Sequence, residues 1–337
     1  MIEEFFVVTL FRSILMRLIY LDKYSIIDSN MSDSQVGGRK GRSVRNHIWV
    51  LNGIICDVLS TKKKIPIDIQ IFDYKQCFDS LWLQECMSDI YTSGIKDDKL
   101  SLLYNINTHV KVAVKTPVGI TKRESIFNVI TQGDVFGPIL CSNQVDTFGK
   151  ECLEECKYNY AYKGEVEIPP LGMVDDLLCI SECGHKTAMV NAYINHKTSS
   201  KKLKFGAQKC KKLHVGHSQE EYKCQNLMVD NWTEVEIKNE VTGENGLKDI
   251  HVGELLMEEK DEEKYLGDVI STDGRNIKNI KARIAKGKGI VSKILTMLDG
   301  IPFGKHYFEM GILLRDRLLV SSMLFNSEAW YNLTSTS

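Results

Sequence analysis

The stretch Leu171-Gly172-Met173-Val174-Asp175-Asp176-Leu177-Leu178-Cys179-Ile180-Ser181 decides the fold. Two apolar runs are broken once, by adjacent aspartates. The pattern predicts a tight β-hairpin with Asp175 and Asp176 at its turn. Two carboxylates between Val174 and Leu177 are costly to desolvate unless something positive answers them. A turn exposes them in one direction, so a third carboxylate on a neighbouring strand would complete a cradle for a hard divalent cation. Upstream, Ile67, Ile69 and Ile71 alternate as in a buried strand over residues 67–72, which ends at Asp73. Taken singly, Asp-Asp is also an ordinary turn dipeptide, and Asp73 an ordinary helix N-cap.

Outward from these strands, residues 5–10 predict a short strand and residues 11–20 a helix. Residues 43–60 predict a clearer helix, with Ser43 as N-cap and Ile48, Leu51, Ile55 and Val58 or Leu59 at helical spacing. A helical stretch begins near Phe78. Residues 110–118 and 121–130 read as a strand pair turning at Gly119. Gly137-Pro138 opens a helix with proline in its first turn and Cys141, Val145, Phe148 and Cys152 as its apolar stripe. Residues 209–215 read as a strand and 218–263 as a polar, acidic insertion. Residues 278–298 form a basic helix with Ile280, Ile284, Ile290 and Ile294 facing a core, and 315–330 a last helix. Strands and helices mix without βαβ alternation, which predicts an α+β fold.

The chain of 337 residues is 43% hydrophobic, enough for two or three subdomains. A net charge of −1 gives no sign of a polyanionic partner, but the distribution of charge does. Residues 275–293 hold Arg275, Lys278, Lys281, Arg283, Lys286, Lys288 and Lys293 with no acidic residue. Lys201, Lys202, Lys204, Lys209, Lys211 and Lys212 form a second cluster. Either cluster alone also fits a solvated helix face. The cysteines Cys152 and Cys156, and Cys210 with His214, lack a second ligand pair, so zinc is not expected. The apolar settings of the cysteines suit buried thiols in a reducing compartment. Residues 1–20 are apolar but interrupted by Glu3, Glu4, Arg12 and Arg17, with no small-residue cleavage site after them. Neither a signal peptide nor a membrane span is expected there. The expected location is intracellular, nuclear or cytoplasmic, and not secreted.

The ordered segments carry a resemblance. Asp73-Tyr74-Lys75-Gln76-Cys77-Phe78-Asp79 resembles motif A of non-LTR (LINE-type) retrotransposon reverse transcriptases, Asp-x-x-Lys-Ala-Phe-Asp. Gln132-Gly133-Asp134-Val135-Phe136-Gly137-Pro138 resembles motif B, and Met173-Val174-Asp175-Asp176 resembles motif C. Residues 203–209, ending in Lys209, resemble motif D, and Tyr265-Leu266-Gly267 the segment after the palm. Gln35-Val36-Gly37-Gly38-Arg39-Lys40-Gly41-Arg42-Ser43 resembles a fingers segment of the family. Gly137 stands where motif B usually has Ser, Met173 where motif C has an aromatic residue, and Gly38 where Phe is common.

The resemblance implies a right-hand polymerase. Its fingers would take residues 1–66 and 83–130, its palm, an antiparallel sheet with helices, 67–82 and 131–217, and its thumb 264–337 after the insertion. It implies RNA-directed DNA synthesis, extending a DNA primer on an RNA template with dNTPs by two-metal-ion nucleotidyl transfer. The metal is Mg²⁺, two ions, with Mn²⁺ as a substitute; hard carboxylate oxygens suit it. Such ions, about 3.5–4 Å apart, activate a 3′-hydroxyl and stabilise leaving pyrophosphate. Asp73, Asp175, Asp176 and the Tyr74 carbonyl would be metal ligands. Phe78 would be the steric gate against a ribose 2′-OH, and Gln132 and Gly133 would line the nucleotide pocket. Arg12 would hold the triphosphate, Arg39 would touch template or triphosphate, and Lys209 would protonate pyrophosphate or screen its charge. The basic helix would grip an RNA/DNA heteroduplex through its backbone. Three alternatives stay open: a catalytically inactive retroelement remnant that only binds RNA, an RNA-dependent RNA polymerase, and a domesticated structural partner in a larger complex. The flanks read as a frame cut from a longer element.

Overall fold

The computed structural model describes residues 2–60, 65–108, 110–126, 135–156, 158–182, 185–206, 208–216 and 257–329. Its helices are α1 (Ile2–Asn30), α2 (Val44–Ser60), α3 (Cys77–Ser80), α4 (Leu83–Thr92), α5 (Asp98–Thr108), α6 (Gly137–Glu151), α7 (His185–Ser200), α8 (Ile277–Leu298) and α9 (Lys305–Leu314). The strands are β1 (Ile67–Phe72), β2 (Val110–Val112), β3 (Lys115–Thr116), β4 (Gly119–Ile120), β5 (Glu124–Ile126), β6 (Ala161–Tyr162) and β7 (Val166–Glu167). They continue with β8 (Leu171–Met173), β9 (Asp176–Glu182), β10 (Lys211–Val215), β11 (Glu258–Glu259), β12 (Glu262–Tyr265) and β13 (Asp268–Ser271). The chain divides into two compact units, residues 1–44, 65–212 and 217–259, and residues 45–64, 213–216 and 260–337.

The first unit is organised around a sheet of order β11-β10-β1-β9-β8. All six residues of β1 are buried, so the alternation of Ile67, Ile69 and Ile71 marks only one of two covered faces. Asp68 and Gln70 tolerate burial because Thr187 serves both. Its hydroxyl donates to Asp68 Oδ2 at 2.7 Å, and its carbonyl accepts from Gln70 Nε2 at 3.3 Å. The expected hairpin is present as β8 and β9, antiparallel and joined at Val174-Asp175. α6 opens with proline in its first turn and buries Cys141, Val145 and Phe148. It also buries Ser142, Asn143, Gln144 and Asp146, as a helix surrounded by protein must. The pair expected around Gly119 forms in two steps, β2 with β5 and β3 with β4; residues 127–130 lie outside the described residues. The described cysteines of this unit are free thiols and buried.

Two expectations are corrected here. Residues 5–10 are not a strand but part of α1. A short apolar run fits either state, and no Gly or Pro falls between residues 2 and 30 to end a helix. Most of the segment read as an insertion lies outside the described residues, but its last part supplies β11 and the start of β12.

In the second unit α2 buries Ile48, Leu51 and Ile55, and of the two residues that could end the stripe it buries Val58 and leaves Leu59 exposed. β12 and β13 form a hairpin around Leu266-Gly267. The buried line of α8 runs through Asn279, Arg283, Gly287, Ile294 and Leu298. Of the four isoleucines expected in the core, only Ile294 is buried, and Ile284 is 44% exposed. The reason is Arg283. Its Nη2 donates to Asp268 Oδ1 at 2.5 Å and to the Gly267 carbonyl at 2.6 Å, and its guanidinium lies 4.9 Å from the centre of Phe325. That polar anchor turns the isoleucine line away from the core. The last helix begins at Lys305 rather than 315, passes through a π-helical stretch (Arg315–Val320), and closes at Ser321–Met323. Trp330 lies outside the described residues. No described helix is long and apolar enough to cross a membrane.

Candidate active site

β1 and β9 run antiparallel with Phe72 opposite Leu177. One step further in the same register stand Asp73 and Asp176. Asp175 is the second residue of the turn that Met173 and Asp176 close. Three carboxylates from distant parts of the sequence thus share one end of the sheet. The segment before β10 brings a cation to them. The Lys75 N–H donates to the Lys204 carbonyl at 2.8 Å, and the Gly206 N–H to the Asp73 carbonyl at 2.8 Å. Phe205 lies 4.6 Å from the Tyr74 ring and 5.0 Å from Phe72, centre to centre. Held this way, the Lys209 ammonium donates to both Asp73 oxygens, each at 3.2 Å.

The charges are only partly answered. Burial, and then the Asp73 charge, raises the Asp175 carboxyl above its ordinary value. Burial, then Asp175 and Asp73, pushes Asp176 up to about 6. Lys209 opposes both shifts. Like charges brought together this way favour a proton or a bound cation. The donor set is hard oxygen, which fits Mg²⁺ rather than zinc. Among the described residues no three His, Cys, Asp or Glu side chains form a metal cage by themselves. Mg²⁺ commonly completes its shell with water and substrate phosphates.

Of the other residues singled out in the sequence, Tyr74 is buried, and burial lifts its phenol well above the ordinary value. Phe78 is half-buried against the core of the first unit. Arg12 is half-buried on α1, its Nη2 donating to Asn107 of α5 at 3.4 Å. Gln132 and Gly133 lie outside the described residues. Arg39 is corrected from a template or triphosphate contact to an internal clamp. It is buried, with Nε on Asp28 Oδ1 at 2.7 Å and its other nitrogens on the carbonyls of Asp28, Ser32 and Gln35. Beside Gly37 a cleft of about 300 Å³ is lined by Arg17, Tyr20, Val135, Pro138 and Ile139.

One feature of the site escaped the sequence reading. Val174 sits at φ 58, in the left-handed region, where a β-branched residue costs on the order of 1–3 kcal/mol. Gln35 and Gly37 pack on this turn. The sequence marks them through the segment from Gln35 to Ser43 that resembles the family's fingers, a resemblance that carries no sign of their contact with the hairpin.

A sheet with three carboxylates and a lysine at one end, packed with helices in an α+β unit, is that of a right-hand nucleic-acid polymerase. The chain belongs to the reverse transcriptase (RNA-dependent DNA polymerase) family, whose profile matches residues 10–270. That family comprises nucleotidyltransferases, RNA-directed DNA polymerases. No curated protein matches the sequence. Among solved structures, apo telomerase from Candida tropicalis is similar with 12% identity and a TM-score of 0.49, over 94% of this chain and 48% of that one. Telomerase from Candida albicans in complex with a fragment of telomeric RNA has 12% identity and a TM-score of 0.48, over 97% and 49%. A Candida tropicalis telomerase truncated from its C-terminal domain has 16% identity and a TM-score of 0.43, over 61% and 41%. The chain spans less than half the length of each of these proteins.

Proposed function

We propose that the chain is the polymerase core of a non-LTR retrotransposon reverse transcriptase, extending a DNA primer on an RNA template with dNTPs. The observation that carries this reading is the convergence of Asp73, Asp175 and Asp176 at one sheet end, with Lys209 on Asp73. In this reading Asp73, Asp175 and the Tyr74 carbonyl would hold two Mg²⁺ ions, with Asp176 beside them. When bound, the ions lower the pKa of the primer 3′-hydroxyl and neutralise charge on the phosphates. The residues of the chain do the rest. Asp73 and Asp175 fix where the primer terminus and the α-phosphate meet. As the bond from the 3′-oxygen to the α-phosphorus forms, the 3′-hydroxyl proton passes to water, the bond to pyrophosphate breaks, and Lys209 gives that leaving group a proton that it regains from solvent. For this Lys209 leaves Asp73, which its 72% exposed side chain allows. Phe78 excludes a 2′-hydroxyl, Gln132 and Gly133 line the nucleotide pocket, and Arg12 holds the triphosphate. The cleft beside Gly37 has room for a single base. The exposed Lys281, Lys286, Lys288 and Lys293 hold the RNA/DNA duplex by its phosphates, whereas Lys278 is taken by Glu262.

The test is extension of a DNA primer on an RNA template with dNTPs and Mg²⁺, beside Asp175→Ala. Extension that the variant loses supports the reading. Template binding by both proteins with extension by neither would favour an RNA-binding remnant, and preference for NTPs over dNTPs would favour an RNA polymerase.

A further inference from the structure

Gln35 is buried, 1% exposed, and its side-chain amide is spent on the hairpin that carries Asp175 and Asp176. Its Oε1 accepts from the Val174 N–H at 3.1 Å and from the Gly37 N–H at 2.9 Å. Its Nε2 donates to the Val174 carbonyl at 3.4 Å and to the Ser142 carbonyl of α6 at 3.3 Å. The backbone around it pairs with β8, the Gly172 N–H donating to the Ser34 carbonyl and the Val36 N–H to the Gly172 carbonyl, each at 2.9 Å. Two missing side chains permit the approach. A Cβ on Gly37 would lie 2.3 Å from the Val174 nitrogen, and one on Gly172 2.7 Å from Gln35 Nε2. An unfavourable backbone conformation persists only where its surroundings fix it. Here the surroundings of Val174 are the amide of Gln35, bonded to both its N–H and its carbonyl.

We infer that Gln35 is a positioning residue: it holds Val174 in the left-handed turn and thereby sets the direction of the Asp175 and Asp176 carboxylates. All four bonds of its amide go to backbone groups, so it acts through the hairpin. Its kinetic consequence rests on the proposed polymerase function, whereas the clamp itself is open to measurement without catalysis.

The experiment compares the whole chain with Gln35→Leu, Gly37→Ala, and Gln35→Leu combined with Val174→Gly. Hydrogen exchange over residues 171–178 and primer-extension kinetics are read together. Gln35→Leu and Gly37→Ala are expected to speed exchange in that hairpin at least about tenfold, with the rest of the first unit unchanged. In Gln35→Leu, kcat falls about 10- to 100-fold, as for an ångström-scale misplacement, while KM for dNTP moves less than about threefold. Glycine adopts a positive φ without strain, so adding Val174→Gly restores at least about tenfold of the lost kcat. Wild-type exchange in both single variants would overturn the inference. So would faster exchange throughout the unit, or a loss of kcat that Val174→Gly leaves untouched. If the wild-type chain extends no primer, the polymerase reading fails, and the exchange comparison alone decides the clamp: loosening confined to 171–178 upholds it, none overturns it.

Discussion

The sheet end of the first unit and helix α8 of the second both concentrate charge, and they handle it in opposite ways. At the sheet end, three carboxylates are pressed toward one another, and one lysine answers only part of their charge; two of them are shifted toward protonation as a result. Along α8, Lys281, Lys286, Lys288 and Lys293 are spread into solvent, while Arg283 is folded inward onto Asp268. Exposed, separated charges cost little to maintain. Crowded ones, with Asp73 and Asp175 half-buried, cost more, and groups shifted in this way cluster at functional sites. A count of basic residues treats Arg283 and its neighbours alike, whereas the fold makes one an anchor and leaves the others available to a polyanion.

The largest effect on the α8 side of this contrast is expected from Arg283→Ala. It leaves Asp268 buried without its partner and should cost about 3–5 kcal/mol in chemical denaturation. Arg283→Met with Asp268→Leu should cost clearly less; an equal cost would show that packing on Phe325, not charge, is the anchor. At the sheet end, Lys209→Ala should lower kcat about 10- to 100-fold. The same change should reduce the Mg²⁺ concentration giving half-maximal rate, because the ammonium no longer competes for Asp73. A fall in kcat with an unchanged or raised half-maximal Mg²⁺ concentration would break the assignment of Lys209. Replacing Lys281, Lys286, Lys288 and Lys293 with Gln should weaken template–primer binding about tenfold and flatten its salt dependence. Lys201→Gln and Lys211→Gln should do little, since Glu85 and Glu258 already hold those ammonium groups.

The smallest effect concerns pH. Asp176 titrates near 6 in the folded chain against about 3.9 unfolded, so the folded state binds the proton more tightly. The favourable contribution is full below the unfolded value and is lost as pH rises through about 6. Without metal, Asp176→Asn should therefore raise Tm by about 1–3 °C at pH 7.5, a gain that vanishes near pH 4. Extension should decline as pH falls through about 6, where Asp176, beside the proposed metal ligands, takes up a proton.

The same contrast governs what the sequence disclosed. β1, the hairpin and α6 were legible because a buried strand, a turn and a proline-opened helix each leave a local mark, and the order of the aspartates around them is the order of the motifs. Lys209 was legible through its motif, though not its contact with Asp73, which depends on how residues 203–210 fold back on β1. The long α1 was misread because its apolar start has no period short enough to exclude a strand. The core face of α8 was misread because isoleucine outranks arginine in any hydropathy count, while a buried arginine with a carboxylate and a carbonyl to bind outranks isoleucine in the fold. Arg39 and Gln35 were invisible as clamps for a related reason. Most of their bonds go to backbone groups, the carbonyls of Asp28, Ser32 and Gln35 for Arg39 and the N–H and carbonyl of Val174 for Gln35, which have no side-chain signature.

The most direct test of the central claim is Mg²⁺-dependent extension of a DNA primer on an RNA template, with template binding measured on the same preparations of wild type and Asp175→Ala. Extension by the wild type, reduced on the order of a thousandfold or more in the variant with binding unchanged, is the predicted result. Equal extension by the two proteins would contradict the assignment of the carboxylate cluster as the polymerase site.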